Sequence, residues 1–105
     1  MSRPTRVIPS VSARLAALGE RLRAARQRRR VSQAELAVRI GVSRPTVIRL
    51  ERGDLNVAIG LLARALGILG LEADLDLLAA NDERGRILQD LTLPRRTGHR
   101  ARTRP

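Results

Sequence analysis

The chain has no cysteine, no phenylalanine, tyrosine or tryptophan, no lysine, and a single histidine in 105 residues. Without cysteine there is neither a disulfide framework nor a thiolate metal site, and a reducing cytoplasm is compatible with the composition. Without aromatic rings there is no platform on which unpaired bases could stack, which is the usual device of single-strand binders. Any core must be built from Leu, Ile, Val and Ala. No apolar run approaches the length of a membrane span, and Arg3-Pro4-Thr5-Arg6-Val7-Ile8-Pro9 lacks the apolar stretch of a secretory signal. Catalysis has little to draw on: there is no thiol nucleophile, no glycine-rich phosphate loop, and the one histidine, His99, stands in an arginine-rich tail. The composition sets the expectation of a cytoplasmic, nucleoid-associated protein that is not an enzyme and holds no metal or cofactor.

What is present is arginine. The chain carries 21 basic residues against 10 acidic ones, a formal net charge of +11. The charge is unevenly placed. Residues 1–53 hold 13 arginines and 3 carboxylates, residues 54–93 hold 3 and 7, and residues 94–105 hold 5 and none. A basic half in a small protein is an electrostatic footprint for a polyanion. A length of 105 residues allows one domain with a modest core.

Residues 32–53 carry the most information. Ser32 can cap a helix, and Glu35 three residues on completes a capping box. Leu36, Ala37 and Ile40 form an apolar stripe at helical spacing. Gly41 follows where a left-handed residue is wanted. Ser43 then caps again, Val47 and Leu50 supply the next stripe, and Gly53 ends it. Ala37 is small, as a close helix crossing requires. Two short helices joined by a tight turn in this register make a helix-turn-helix, whose second helix lies in the DNA major groove.

The rest of the chain organises around this unit. Residues 1–10 read as a flexible arm, and Ser12 can cap a helix running to about Arg29 with Leu15, Leu18 and Leu22 on one face. Arg26 stands at the distance from which it could pair with Glu51, the lone acid at the end of an otherwise basic helix. Residues 57–69 read as another helix, with Ile59, Leu62, Leu66 and Leu69 facing the core. Leu71, Ala73, Leu75 and Leu77 then alternate with Glu72, Asp74 and Asp76, the pattern of a half-buried strand. One strand cannot satisfy its own backbone, so these four apolar residues are expected to pair with the same strand of a second copy. Asn81 or Asp82 caps a last helix, 83–91, and residues 94–105 form a tail expected to be disordered. The expected organisation is an arm at 1–10, a helix-turn-helix domain at 11–70, a dimerisation strand at 71–78, a short helix at 79–93 and the tail at 94–105. In fold class it is mostly α, with four to five helices and one strand shared between subunits.

For contact with DNA, the first turn of the second helix offers Arg44, Pro45 and Thr46 after Ser43, and Arg49 one turn later. Arginine reads guanine with two parallel donors, Pro45 can meet a thymine methyl, and Thr46 suits either task. Gln33, assisted by the Ser32 hydroxyl, stands where it could donate to a phosphate. Arg39 and Arg52 are phosphate contacts or solvated charges. Glu72, Asp74 and Asp76 read as a solvated face rather than a metal site.

At Leu18, Leu22 and Arg26, at Ser-Gln-x-x-Leu-Ala-x-x-x-Gly-Val-Ser, and at Thr46-Val47-x-x-Leu50-Glu51-x-Gly53, the chain resembles the phage-repressor-type (Xre/Cro) helix-turn-helix family. The resemblance implies buried pairing of Arg26 with Glu51 and binding of a palindromic double-stranded operator as a homodimer. The strand expected at residues 71–77 resembles a narrower group, the HipB-type antitoxins. That likeness implies an autoregulatory repressor of a type II toxin–antitoxin operon that neutralises a HipA-type serine/threonine kinase. A stand-alone regulator of the same family with no toxin is the alternative, followed by an interaction adaptor and a non-specific arginine-rich nucleic-acid binder.

Overall fold

The computed structural model describes residues 8–92, so the arginine tail expected at 94–105 lies outside the described residues. Five α-helices and one 3-10 helix are present among them: α1 (Pro9–Arg28), α2 (Gln33–Ile40), α3 (Arg44–Arg52), α4 (Ile59–Ile68), the 3-10 segment (Glu72–Leu77) and α5 (Glu83–Thr92). The chain divides into two compact units, the first ending at Leu75 and the second beginning at Asp76.

In the first unit α1 packs on α3, and α2 packs on both α3 and α4. Leu22, Leu36, Ala37, Ile40, Val47, Leu50, Leu61, Ala65, Leu66 and Leu69 are buried together, with Val47 and Leu36 sealed from solvent. The aliphatic core expected from the composition is therefore present. The α4 stripe differs from expectation. Ile59 opens the helix and is exposed, while Leu61 and Ala65 face inward.

Helix ends follow from local chemistry. Ser32 accepts from the Glu35 N–H at 3.0 Å through its hydroxyl, and Glu35 accepts from the Ser32 N–H at 3.0 Å, closing the capping box. Gly41 (φ 88°) and Gly53 (φ 76°) both take the left-handed conformation after α2 and α3. Ser43 occupies the N-cap position of α3 but makes no side-chain cap bond; its hydroxyl pairs with that of Thr46 at 3.0 Å. The first helix starts earlier than Ser12. Pro9 has no N–H to lose at the first helical position, and the Ile8 carbonyl accepts from Val11 and Ser12 at 2.9 and 3.0 Å. Residues 9 and 10 are therefore helical rather than part of an arm.

The expected strand at 71–77 is replaced by 3-10 turns, and no strand occurs among the described residues. The physical reason begins at the end of α4. Leu71 N–H donates to the Leu66 carbonyl at 2.7 Å and Gly70 N–H to that of Gly67 at 3.1 Å, a Schellman closure that turns the chain back. Leu71 and Leu75, four residues apart, then pack onto the core as a helical spacing allows, whereas Ala73 and Leu77 are exposed. Within one chain no strand edge stands ready to take these backbone groups, and i to i+3 bonds satisfy them locally. The four residues expected to share a dimer strand thus divide, two against their own core and two outward.

Two glycines fix how α1 meets α3. A Cβ at Gly19 would overlap the Glu51 carbonyl and stand 2.9 Å from the Gly53 nitrogen, and one at Gly53 would overlap the Leu15 carbonyl. Gly41, by contrast, faces open space. Gly41→Ala should cost about 1 kcal/mol for its left-handed backbone alone. Gly53→Ala should cost clearly more, because backbone must also move. Equal unfolding midpoints in urea for the two variants would contradict this packing.

The capping box adds a pH dependence. The Ser32 N–H foremost, then the Ser32 hydroxyl and the nearby Arg39, hold the Glu35 carboxyl below its usual range. A depressed carboxylate stabilises the fold at pH above its unfolded value, near 4.3 for ordinary glutamate at about 25 °C, and that contribution is lost as pH falls through the lowered value. Glu35→Gln should therefore be less stable than the wild type at neutral pH and lose less stability below about pH 5. Parallel acid titrations of the two chains would refute the capping contribution.

Candidate nucleic-acid interface

The interface is organised by a buried ion pair. Arg26 on α1 donates from Nε to Glu51 Oε2 at 2.6 Å and from Nη2 to Oε1 at 3.2 Å, with both side chains almost fully buried. Its Nη1 donates to the Val31 carbonyl at 2.8 Å, in the turn that leads to α2. Gln33, the first residue of α2, donates from Nε2 to Glu51 Oε1 at 3.0 Å. Three helices are thereby tied at one carboxylate. The pairing of Arg26 with Glu51 expected from the sequence is present in the structure. Gln33 has a role that the sequence did not reveal: its amide nitrogen is engaged inward, and its side chain is half-buried.

Beside this cluster lies an open pocket of about 290 Å³, lined by Arg23, Arg26, Ser32, Gln33, Ala34 and Arg44. It joins the start of α2 to the start of α3. Of the first N–H groups of α2, that of Glu35 goes to Ser32 Oγ and that of Leu36 to the Ser32 carbonyl at 3.0 Å. The N–H groups of Gln33 and Ala34 remain for an outside acceptor, at the positive end of the helix. Arg26 is already paired with Glu51, so Arg23 and Arg44 supply the uncompensated charge. A phosphate is the group that such a pocket suits. Arg23 was not expected here. The signal for it is its place three residues before Arg26, one turn away on α1.

On α3, Arg44 and Pro45 are exposed, Thr46 is half-buried, and Val47 and Leu50 face the core. Arg49 is exposed and stands 3.9 Å from Asp54 Oδ2 across the turn after the helix. Ser32 and Ser43 are exposed at the two helix starts. The residues singled out as DNA contacts, Ser32, Gln33, Ser43, Arg44, Pro45, Thr46 and Arg49, therefore lie on the starts of α2 and α3 and along the outer side of α3. Arg64 on α4 was also missed; it donates to the Ile40 carbonyl at 3.0 Å and closes the negative end of α2.

Residues 17–79 match a family model described as a helix-turn-helix domain. The chain belongs to that helix-turn-helix family. The match begins inside α1 and runs beyond the 3-10 segment, so it takes in every element that positions the pocket. Over 52 residues, half of this chain, the sequence is 38% identical to a candidate HTH-type transcriptional regulatory protein of Pyrobaculum aerophilum. The matched stretch spans about a fifth (21%) of that relative's length. Among the described residues, no helix is long and apolar enough to cross a membrane, and no three acidic or histidine side chains converge to hold a metal ion.

Removing Glu51 should strand Arg26 inside the protein. Glu51→Ala is expected to cost about 3–5 kcal/mol in chemical denaturation, as for other buried pairs that lose one partner. Gln33→Ala should cost about 1 kcal/mol in the wild-type background and almost nothing once Glu51 is gone. An equal cost in both backgrounds would mean that the two side chains do not act together.

Proposed function

We infer that the protein is a sequence-specific, double-stranded-DNA-binding transcriptional regulator that acts as a homodimer on a palindromic operator. The observation that carries this reading is the pocket at the start of α2, lined by Arg23 and Arg44, beside an α3 on which Arg44, Pro45 and Arg49 are exposed. Phosphate contacts through the Ser32 side chain and the backbone N–H groups of Gln33 and Ala34 set the register, while the Gln33 side chain holds Glu51, and Arg44, Pro45, Thr46 and Arg49 read base edges. The Pyrobaculum relative is named a transcriptional regulatory protein, which supports the regulatory part of this reading. The fold supplies no aromatic platform for unpaired bases, which favours duplex DNA over single strands.

An antitoxin role toward a HipA-type kinase is a narrower form of this reading. It was drawn from a shared strand, and the 3-10 form of Glu72–Leu77 removes that basis. A stand-alone regulator is therefore the reading favoured here. A kinase encoded next to this gene, copurifying with the untagged protein, would restore the antitoxin assignment.

Selection of binding sites from random duplexes tests the proposal. The wild-type chain should return a palindrome with half-sites roughly one helical turn apart, about 34 Å. Arg44→Ala should weaken binding by about 1–3 kcal/mol and relax one base pair in each half-site. An unchanged motif from the Arg44→Ala chain would remove Arg44 as a reader. Failure of the wild type to enrich any motif would overturn sequence-specific binding.

A further inference from the structure

The chain leaves α1, α2, α3 and α4 through a left-handed residue each time, and only once is that residue not glycine. Gly41 (φ 88°), Gly53 (φ 76°) and Gly70 (φ 74°) follow α2, α3 and α4, whereas Arg30 (φ 55°) follows α1. Arg30 N–H donates to the Gln27 carbonyl at 3.0 Å and Val31 N–H to the Arg26 carbonyl at 3.3 Å, a complete Schellman closure. Glycine fills such a position without strain, and a side chain is held there against its own steric preference. In the second unit Ala79 (φ 56°) is also left-handed, but its methyl group carries no charge. Strain kept at an arginine directs attention to what its guanidinium does.

Arg30 stands at the edge of the phosphate pocket. Arg26, four residues before it, and Ser32, two residues after it, both line that pocket. Arg26 Nη1 also clasps the Val31 carbonyl at 2.8 Å, which fixes the turn next to Arg30. Two residues of chain span at most about 7 Å, a distance that an extended arginine covers. Arg30 is exposed, and the two ion pairs present among the described residues, Arg26–Glu51 and Arg49–Asp54, leave it out. The helix dipole does not call for it, since Arg26 and Arg28 already occupy the last turn of α1. We propose that Arg30 is a DNA-backbone anchor: it binds the phosphate next to the one in the pocket, and the left-handed turn is retained because it holds the guanidinium there.

The proposal rests on the duplex-DNA reading above and adds a contact to it. A phosphate contact carries no base information, so Arg30 adds affinity and leaves the motif to α3. Replacing Arg30 should then move stability and binding in opposite directions, which a purely structural role would not do.

Arg30→Gly and Arg30→Asn, both suited to a left-handed residue, test this in the full-length chain, with a site-selected duplex and a random duplex of the same length. Arg30→Gly should raise the thermal midpoint by roughly 2–6 °C. Both variants should bind either duplex about threefold or more weakly, and the slope of log affinity against log salt should fall by about one. Arg30→Lys keeps the charge and should keep the slope. Arg14→Gln removes an equal charge roughly 20 Å away along α1 and should also keep it. An unchanged slope in Arg30→Gly and Arg30→Asn, or an equal loss in Arg14→Gln, would overturn the anchor while a wild type that binds duplex left the DNA reading standing. A midpoint lowered by Arg30→Gly would make the arginine a structural residue and overturn the proposal. A selected motif altered by Arg30→Asn would make it a base reader and overturn the backbone assignment. A wild type that binds neither duplex would overturn both readings.

Discussion

Taking a guanidinium and a carboxylate out of water costs on the order of several kcal/mol per ion, and this small domain does so at its centre. Four hydrogen bonds converge on Arg26 and Glu51 to offset that cost, one of them from Gln33 and one to the Val31 carbonyl. The two-point contact sets both the distance and the angle at which α1 meets α3, which an apolar contact of the same size would not. Around it the fit is close on the backbone side as well, because Gly19 and Gly53 let α1 pass against the end of α3. The start of α2 is held to the end of α3 through Gln33. The surface that presents Arg44 is therefore fixed by the same groups that hold the core together.

This economy explains how a chain without aromatic residues keeps a defined arrangement. Its core is entirely aliphatic and small, and aliphatic side chains alone specify position weakly. Direction comes instead from polar devices at the helix ends: the Ser32–Glu35 box, the left-handed glycines and Arg64 on the last carbonyl of α2. Charge is arranged to match. Basic groups gather at the starts of α2 and α3, while Glu72, Asp74 and Asp76 are exposed in the 3-10 segment. A polyanion approaching the first surface meets attraction, and one approaching the second meets repulsion.

How much of this was legible beforehand depended on the range of the interaction. Ser32, Glu35, Gly41 and Gly53 act within a few residues of themselves, and their spacing alone located α2 and α3. Arg26 and Glu51 lie 25 residues apart, yet an isolated acid at the end of a basic helix marked the pair. Gln33, Gly19, Arg23 and Arg64 could not be assigned their roles, because each depends on which helix passes beside it. The segment at 71–77 was misread for a different reason. Leu71, Ala73, Leu75 and Leu77 satisfy a two-residue period, but Leu71 with Leu75, and Ala73 with Leu77, equally fit a four-residue one. Only the Schellman turn after α4 decides between them. Pro9 misled by its usual association with loops, although the first turn of a helix tolerates it.

The central claim is that one rigid helical unit presents the starts of α2 and α3 to duplex DNA. Amide chemical-shift mapping tests it most directly, with the isotope-labelled full chain titrated with a duplex recovered by site selection. The account predicts saturable shifts concentrated at Gln33, Ala34 and along α3 from Arg44 to Arg49, with the signals of the buried core residues Leu22 and Val47 little changed. Shifts concentrated on α4 and α5 instead, or broadening throughout the core on binding, would contradict it.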